Sequence, residues 1–168
     1  MMFRIRPATL ADAKSLPDIE ESAGEIFRTI PGLAFVADDE GQSEERHREL
    51  IERGFAFVAT NEASELVGFI NGEELDGNLH IWELAVHRDF QGQGLGRALI
   101  EEAKRYARAN ALPALTLTTF REVPWNAPFY QRLGFTLVEN ATTALKTILD
   151  REAEAGLPGR CAMILRLD

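Results

Sequence analysis

A glycine-rich segment from residue 83 to residue 97 has the composition of a site that binds an anion. It is predicted to be the end of a strand, a turn with Gly92, Gly94 and Gly96, and the start of an amphipathic helix. The first amides of a helix have no internal acceptor and lie at the positive end of the helix dipole, so a phosphate can bind there. Glycines let the backbone approach such a group closely. The segment therefore predicts a phosphate site.

The spacing of these glycines differs from that of two other phosphate-binding loops. A dinucleotide fingerprint has the form G-x-G-x-x-G, but Gly92, Gly94 and Gly96 fall at every second position. A P-loop continues with Gly-Lys-Ser/Thr, whereas this chain continues with Arg97 and Ala98. The alternative to a phosphate site is a purely structural turn between a strand and a helix, which binds nothing.

Glu83 is the first candidate for a general base. Strand alternation places it on one face with Ile81 and Ala85, so its carboxylate lies between apolar neighbours. Such surroundings disfavour the charged form and predict a raised pKa, which suits a group that accepts a proton near neutral pH. A solvated or ion-paired glutamate is the alternative, because most glutamates in proteins are exposed.

The elements that position these residues follow from hydrophobic periodicity. Alternation predicts strands at residues 3–7, 55–59, 66–74, 80–86, 115–120, 135–138 and 161–167. Helical spacing predicts helices at residues 9–28, 43–53, 95–110, 127–133 and 142–155. Pro17 is expected to split the first helix, and residues 29–43 are predicted to form a loop. Three neighbouring strands joined by short turns predict an antiparallel meander, so we expect one α/β domain, of the α+β kind, over residues 1–168.

Composition and charge narrow the class of protein. The chain has 168 residues, 45% of them hydrophobic, which is enough for one domain with a buried core. A net charge of −9 disfavours nucleic-acid binding, which depends on Lys and Arg, and attracts a cationic substrate. Because we find neither an apolar run of membrane-spanning length nor a signal-peptide core, we expect a cytoplasmic protein without a membrane partner.

The side chains most often used as nucleophiles or metal ligands are few. Cys161 is the lone cysteine and is expected to be a small buried residue of a late strand rather than a nucleophile. We expect His80 and His87 to be structural and His47, in a charged helix, to be solvated. No pair of these histidines has the spacing of metal ligands, so no metal site is predicted.

Three segments carry a family resemblance. The pattern Gln91-x-x-Gly94-x-Gly96 resembles the Q/R-x-x-G-x-G/A motif of the GNAT superfamily of N-acetyltransferases. Downstream, Tyr130-x-x-x-Gly134-Phe135 resembles the later motif of that superfamily. The tail, with residues 152–157 and 160–163, is similar to that of small bacterial single-domain members. The resemblance implies a GNAT-like fold, a central mixed and mostly antiparallel sheet of about six or seven strands flanked by about four or five helices.

The resemblance also implies a reaction and roles for individual residues. Acetyl-CoA would be the co-substrate, and an amine would attack its thioester directly in a ternary complex. In the family a Glu on this strand often acts as the base, which implies that role for Glu83, and Tyr130 would protonate the leaving thiolate. The residues implied in holding coenzyme A are Leu84 and Val86 on the strand, Gln91, Gly92, Gly94, Gly96 and Arg97 at the turn, and Asn126 before the later helix.

For the acceptor, the resemblance implies only a general class, a primary amine of a small molecule or peptide. Acidic and aromatic side chains of the early helices and late strands are the candidates for enclosing it: Glu21, Glu25, Phe27, Phe35, Phe120 and Trp125. Members of this family often form homodimers, so a homodimer is one expectation. A non-catalytic acyl-CoA-binding sensor is the main alternative function, and an enzyme that uses another nucleotide is a third.

Overall fold

The structure, a computed structural model, describes residues 2–168. Its strands are β1 Arg4–Pro7, β2 Phe55–Thr60, β3 Leu66–Leu75, β4 Asn78–Val86, β5 Ala114–Phe120, β6 Thr136–Leu137 and β7 Arg160–Arg166. Its α-helices are α1 Leu16–Gly24, α2 Glu44–Arg53, α3 Leu95–Ala109, α4 Ala127–Arg132 and α5 Thr143–Glu154. Short 3-10 segments add Leu10–Ser15, Glu25–Thr29, Ala34–Asp38 and Arg88–Phe90.

The strands of the described residues form a mixed sheet in the order β1-β2-β3-β4-β5-β7-β6. Strand β2 pairs antiparallel with β1 and β3, and β7 pairs antiparallel with β5 and β6. The pairing of β4 with β5 is parallel and its register covers Leu79 with Leu115 and His80 with Thr116. The predicted fold class, with a mostly antiparallel sheet and five helices, is thereby confirmed.

By contacts, the chain divides into two compact units. The first contains the residues up to Glu73 together with Glu83–Ala103, and the second contains Glu74–Trp82 together with Lys104–Asp168. The assignment of residues 1–168 to one domain stays a prediction. No helix of residues 2–168 is both long enough and apolar enough to cross a bilayer.

In the first unit, a buried apolar cluster joins α1 to β2, β3 and the end of β4. Its members are Leu16, Ile19, Val58, Phe69 and Ala85. Pro17 lies in the first turn of α1, where its missing amide hydrogen costs nothing, and the chain before it is a 3-10 segment rather than α-helix. The predicted division of the first helix at this proline is confirmed.

The connection between α1 and α2 differs from the prediction. Residues 29–43 were expected to be a loop, but Ala34–Asp38 forms a 3-10 turn. Arg28 stabilises this turn, since its guanidinium donates to Glu25 Oε2 at 3.0 Å and to Asp38 Oδ1 at 2.7 Å. Arg28 and Asp38 are ten residues apart, so their ion pair leaves no periodic pattern in the sequence.

In the second unit, β5 and β7 pair over seven residues, and helices α4 and α5 belong to the same unit. Helix α5 begins after Thr142, whose hydroxyl accepts a hydrogen bond from the amide of Leu145 at 3.3 Å. Strand β6 is shorter than the predicted residues 135–138. The reason is local, because the amide of Phe135 donates to the carbonyl of Tyr130 at 3.0 Å and closes the end of α4.

Candidate functional site

The turn between β4 and α3 is the centre of the candidate site in the first unit. Gly92 and Gly94 have φ values of 78° and 84°, in the left-handed region that favours glycine. A Cβ on either glycine would meet no atom within 4 Å, so the turn needs them for backbone conformation and not for space. The carbonyl of Gly94 accepts from the amide of Ala98 at 3.1 Å and so begins α3.

The start of α3 is favourable for an anion. The first helical amides have no intrahelical acceptor and lie at the positive end of the dipole of a 15-residue helix. No acidic residue occurs in the first turn of this helix, and Arg97 is exposed there. Gln91, Gly92 and Gly94 are also exposed, whereas Gly96 is half-buried. These groups can therefore surround a phosphate that approaches from solvent.

Gln91 fastens the turn to the end of β4. Its side-chain Nε2 donates to the carbonyl of Val86 at 2.9 Å. One residue further on, the amide of His87 donates to the carbonyl of Val67 at 2.8 Å. A carbonyl oxygen has two lone pairs, so Val86 is still able to accept a second hydrogen bond. Gln91 thus has a structural role in the turn.

Glu83 lies on β4 in the surroundings expected from strand alternation. Its neighbours on the same face, Ile81 and Ala85, are each 3% exposed, and Glu83 itself is half-buried. Leu84 and Val86 on the alternate face are half-buried as well. The carboxylate therefore belongs to a mainly apolar strand segment just before the glycine turn.

Asn126 and Tyr130 belong to the second unit. Tyr130 is 8% exposed, and its ring contacts the rings of Phe129 and Phe135 edge-on at centroid distances of 5.1 and 5.4 Å. Asn126 precedes α4 and its carbonyl accepts from the amide of Tyr130 at 3.1 Å. The side-chain Oδ1 of Asn126 is buried and has no hydrogen-bond donor among residues 2–168. A buried acceptor without a donor costs about 1–3 kcal/mol, so a bound group that donates a hydrogen bond to this oxygen would be stabilised there.

The six acceptor candidates are divided between the two units. In the first unit Glu21 is exposed, Phe35 is 47% exposed, and Phe27 is half-buried. Glu25 is already paired with Arg28. In the second unit Phe120 is 4% exposed and Trp125 half-buried.

The prediction that His47 is solvated is wrong, because His47 is fully buried. Its ring packs edge-on against Phe69 at 5.1 Å, and its Nε2 lies 3.6 Å from Glu20 Oε1. Its Nδ1 lies 3.5 Å from Nδ2 of Asn71. The signal that was missed is helical spacing: His47 lies three residues before buried Leu50 and shares its face of α2, while the charged neighbours occupy the other faces.

The other two histidines have structural contacts, as expected. His80 is fully buried, with Nδ1 at 2.8 Å from Thr116 Oγ1 and its ring edge-on to Trp82 at 4.5 Å. His87 precedes the short 3-10 turn, and its Nδ1 accepts from the amide of Asp89 at 3.2 Å. Within the described part of the chain, no group of three or more His, Cys, Asp or Glu side chains is arranged to hold a metal ion.

Cys161 lies in β7 and is buried, as predicted, with the residue 4% exposed. Burial raises the pKa of this thiol, because the low-dielectric surroundings disfavour the thiolate. A buried neutral thiol is a poor nucleophile.

Comparison with protein families identifies the class of protein. Residues 17–135 match the model of the Acetyltransferase (GNAT) family. The match includes Glu83, the glycine turn and Tyr130 and extends over more than half of the chain. The chain therefore belongs to the GNAT family, and the resemblance seen in its motifs is confirmed.

Individual relatives agree with this assignment. An uncharacterized N-acetyltransferase, ycf52, from Pyropia yezoensis is 37% identical over 73 residues, which cover 43% of this chain and 40% of the relative. The chain thus matches less than half the length of this relative.

Two solved structures share the fold. PaiA N-acetyltransferase from Thermoplasma acidophilum, solved in complex with coenzyme A, has a TM-score of 0.74 at 15% identity, with 99% of this chain and 100% of that chain covered. The ribosomal-protein-S18-alanine N-acetyltransferase from Escherichia coli has a TM-score of 0.69 at 20% identity, with 99% and 95% covered. At these identities the likeness concerns the fold alone.

Proposed function

We propose that this protein is an acetyl-CoA-dependent N-acetyltransferase that transfers an acetyl group to a primary amine of a small molecule or peptide. The observation that supports the proposal is the turn of Gly92 and Gly94 at the amino-terminal end of α3, whose free helical amides suit an anion such as the pyrophosphate of coenzyme A. Membership of the GNAT family supports the same reaction.

The residues present fit coenzyme A in two independent ways. The glycine turn and Arg97 offer amides and a positive charge to the pyrophosphate, and the buried Oδ1 of Asn126 offers an acceptor to an amide or hydroxyl of the pantetheine arm. Leu84 and Val86 would contribute backbone groups, as an added strand does in peptide recognition. PaiA, which shares the fold, was solved with coenzyme A.

The proposed chemistry needs an acid and a base. Acetyl-CoA supplies an acetyl thioester, the electrophile of the reaction. An alkylamine has a pKa near ~10 and must lose a proton before it attacks. We assign the carboxylate of Glu83 as the base that accepts this proton. The new bond joins the amine nitrogen to the acetyl carbon, and the bond from that carbon to sulfur breaks. The Tyr130 hydroxyl gives its proton to the leaving sulfur and takes one back from the nitrogen, which loses its second proton as it becomes an amide.

Direct transfer to the amine is favoured over an acyl-enzyme intermediate. The one thiol of the chain, on Cys161, is buried and its pKa is raised. For the acceptor, we propose that a cationic amine is attracted by the net charge of −9. Among the six acceptor candidates, Glu21 and Phe35 are the most exposed and are the first to test.

Thermal unfolding with and without acetyl-CoA tests the cofactor, with ATP and NAD as controls. At about a hundred times its dissociation constant, a ligand adds roughly 2.7 kcal/mol of stability, so a clear rise in Tm is expected with acetyl-CoA alone. Release of free coenzyme A on addition of amines then tests the reaction. A shift with ATP but none with acetyl-CoA contradicts the proposal. Binding without coenzyme A release by any amine would favour the non-catalytic sensor.

A further inference from the structure

Helix α1 contacts the chain that leads into the glycine turn. The side-chain hydroxyl of Ser22 in α1 accepts a hydrogen bond from the backbone amide of Arg88 at 3.1 Å. Arg88 begins the 3-10 segment Arg88–Phe90, which is followed directly by Gln91 and Gly92. Both partners of this hydrogen bond belong to the first unit. A residue of α1 is therefore attached to the entrance of the proposed phosphate site.

The next two amides of this 3-10 segment are bound by His87. Its Nδ1 accepts from the amide of Asp89 at 3.2 Å, and its carbonyl accepts from the amide of Phe90 at 2.9 Å. Because these acceptors lie within the same turn, they fix its local shape but not its place on the protein. Ser22 supplies an acceptor from α1 instead, and the ring of Phe90 packs edge-on against Phe3 at 6.1 Å. Ser22 and Phe3 therefore anchor the segment to other parts of the first unit.

The position of this 3-10 segment matters for a bound phosphate because the segment is continuous with the glycine turn. Three residues separate Arg88 from Gly92. A turn that is already held in its bound geometry requires less ordering when a ligand binds. The hydrogen bond of Arg88 is exposed, so water can accept from this amide if the hydroxyl is absent. Loss of the hydroxyl therefore frees the segment without burying an unsatisfied amide, and we expect its effect on ligand affinity and not on folding.

Helix α1 does not itself need a serine at this position. Serine is a weaker helix former than alanine, because its hydroxyl competes for backbone groups. Ser22 lies inside the helix, two residues before its end at Gly24, and is half-buried. Replacement by alanine therefore removes the contact with Arg88 and should leave the helix at least as stable.

We propose that Ser22 is a positioning residue for acetyl-CoA. Its hydroxyl holds Arg88, and through Arg88 the turn of Gly92 and Gly94, in the arrangement that receives the pyrophosphate. This role rests on the proposed function, since it concerns the same cofactor site. Ser22 has no part in the bond changes or proton transfers of the reaction, so its effect belongs to the affinity for acetyl-CoA and not to kcat.

Isothermal titration calorimetry of the full chain with acetyl-CoA tests the proposal. We expect Ser22→Ala to weaken acetyl-CoA by about three- to tenfold, the effect of losing one hydrogen bond, and Ser22→Thr, which keeps the hydroxyl, to stay within about twofold. The matched control is Ser15→Ala, which should leave binding unchanged, since Ser15 precedes the same helix and its side chain forms no cap hydrogen bond. In steady-state assays, Ser22→Ala should raise the KM for acetyl-CoA by the same factor and leave kcat at saturating acetyl-CoA unchanged.

Urea unfolding without ligand separates positioning from a purely structural role. Ser22→Ala should be as stable as the unaltered chain, and a loss of stability without a loss of acetyl-CoA affinity overturns the proposal. Equal weakening by Ser22→Thr and Ser22→Ala also overturns it, because the hydroxyl would then have no role. Equal acetyl-CoA affinity of Ser22→Ala and the unaltered chain overturns the role of Ser22 and leaves the proposed function intact. An unaltered chain that does not bind acetyl-CoA overturns both.

Discussion

The guanidinium of Arg160 reaches both carboxylate oxygens of Glu152, with Nε at 3.2 Å from Oε1 and Nη2 at 3.0 Å from Oε2, and so fastens the end of α5 to β7. The hydroxyl of Thr118 donates to the same carboxylate at 2.7 Å, which adds β5 to the connection. The guanidinium also lies over the ring of Phe120, 4.6 Å from its centroid. The side chains of Glu152 and Arg160 are each 18% exposed, so this pair is largely shielded from water.

Loss of this ion pair should destabilise the second unit. We expect Arg160→Met to lower the free energy of unfolding by about 1–3 kcal/mol, because it leaves the carboxylate of Glu152 with only the Thr118 hydroxyl. Urea unfolding followed by circular dichroism measures the change. The control is Arg151→Met, an exposed arginine of α5, which should have little effect on the free energy of unfolding. Equal stability of the two variants would show that the pair contributes no more than a surface contact.

The two glycines of the turn should matter for acetyl-CoA through backbone conformation. We expect Gly92→Ala and Gly94→Ala to weaken acetyl-CoA binding by roughly five- to thirtyfold, since an alanine at positive φ costs about 1–2 kcal/mol. Binding is measured by calorimetry. Gly156→Ala is the matched control, because Gly156 has a φ of 87° and equally open space but lies after α5. A control that weakens acetyl-CoA as much as the turn variants would contradict a phosphate site at the turn.

The acid and base assignments predict separable kinetic effects. Glu83→Gln should lower kcat by about 10²–10⁴-fold while the affinity for acetyl-CoA stays within about twofold, since the carboxylate is proposed to act on the amine. Tyr130→Phe keeps the ring contacts with Phe129 and Phe135 and removes only the hydroxyl, so its effect should also fall on kcat. Steady-state assays of coenzyme A release measure both. Unchanged kcat in either variant would remove that residue from the mechanism.

The ion pair of Arg6 and Asp12 predicts a pH dependence of stability. The hydrogen bonds from the Arg6 guanidinium, helped by the amide of Thr9, lower the pKa of Asp12 below its ordinary value of 3.8. A carboxyl group with a lowered pKa in the folded state contributes stability that is fully present above its unfolded pKa and is lost as the pH falls through the folded pKa. Asp12→Asn should therefore be less stable than the unaltered chain at about pH 7, with a difference that shrinks below about pH 4.

Urea unfolding of the two proteins over that pH range checks the prediction. The control is Asp18→Asn in the first turn of α1, an exposed carboxylate that forms no side-chain hydrogen bond or ion pair among the described residues. The difference in the free energy of unfolding between Asp18→Asn and the unaltered chain should change little with pH. A stability difference for Asp12→Asn that stays constant down to about pH 3 would contradict the lowered pKa.

Elements defined by neighbouring residues were predictable from sequence. The boundaries of α2 after Ser43 and before Gly54 follow from local capping, because the hydroxyl of Ser43 accepts from the amide of Arg46 within the same turn. The 3-10 turn at Ala34–Asp38 was not predicted, because its contacts, such as the exposed ion pair of Asp38 with Arg28, leave no periodic pattern in the sequence.

The sequence by itself determined the glycine turn at the start of α3 and the family, because positive φ values, helix starts and motif spacing are properties of consecutive residues. It also indicated the alternation that places Glu83 beside Ile81 and Ala85. Only the tertiary structure decided the burial of His47 and the pairing of Arg160 with Glu152. The hydrogen bond of Asp76 with Thr142 joins residues 66 positions apart. Such contacts depend on how the chain packs, which no local pattern encodes.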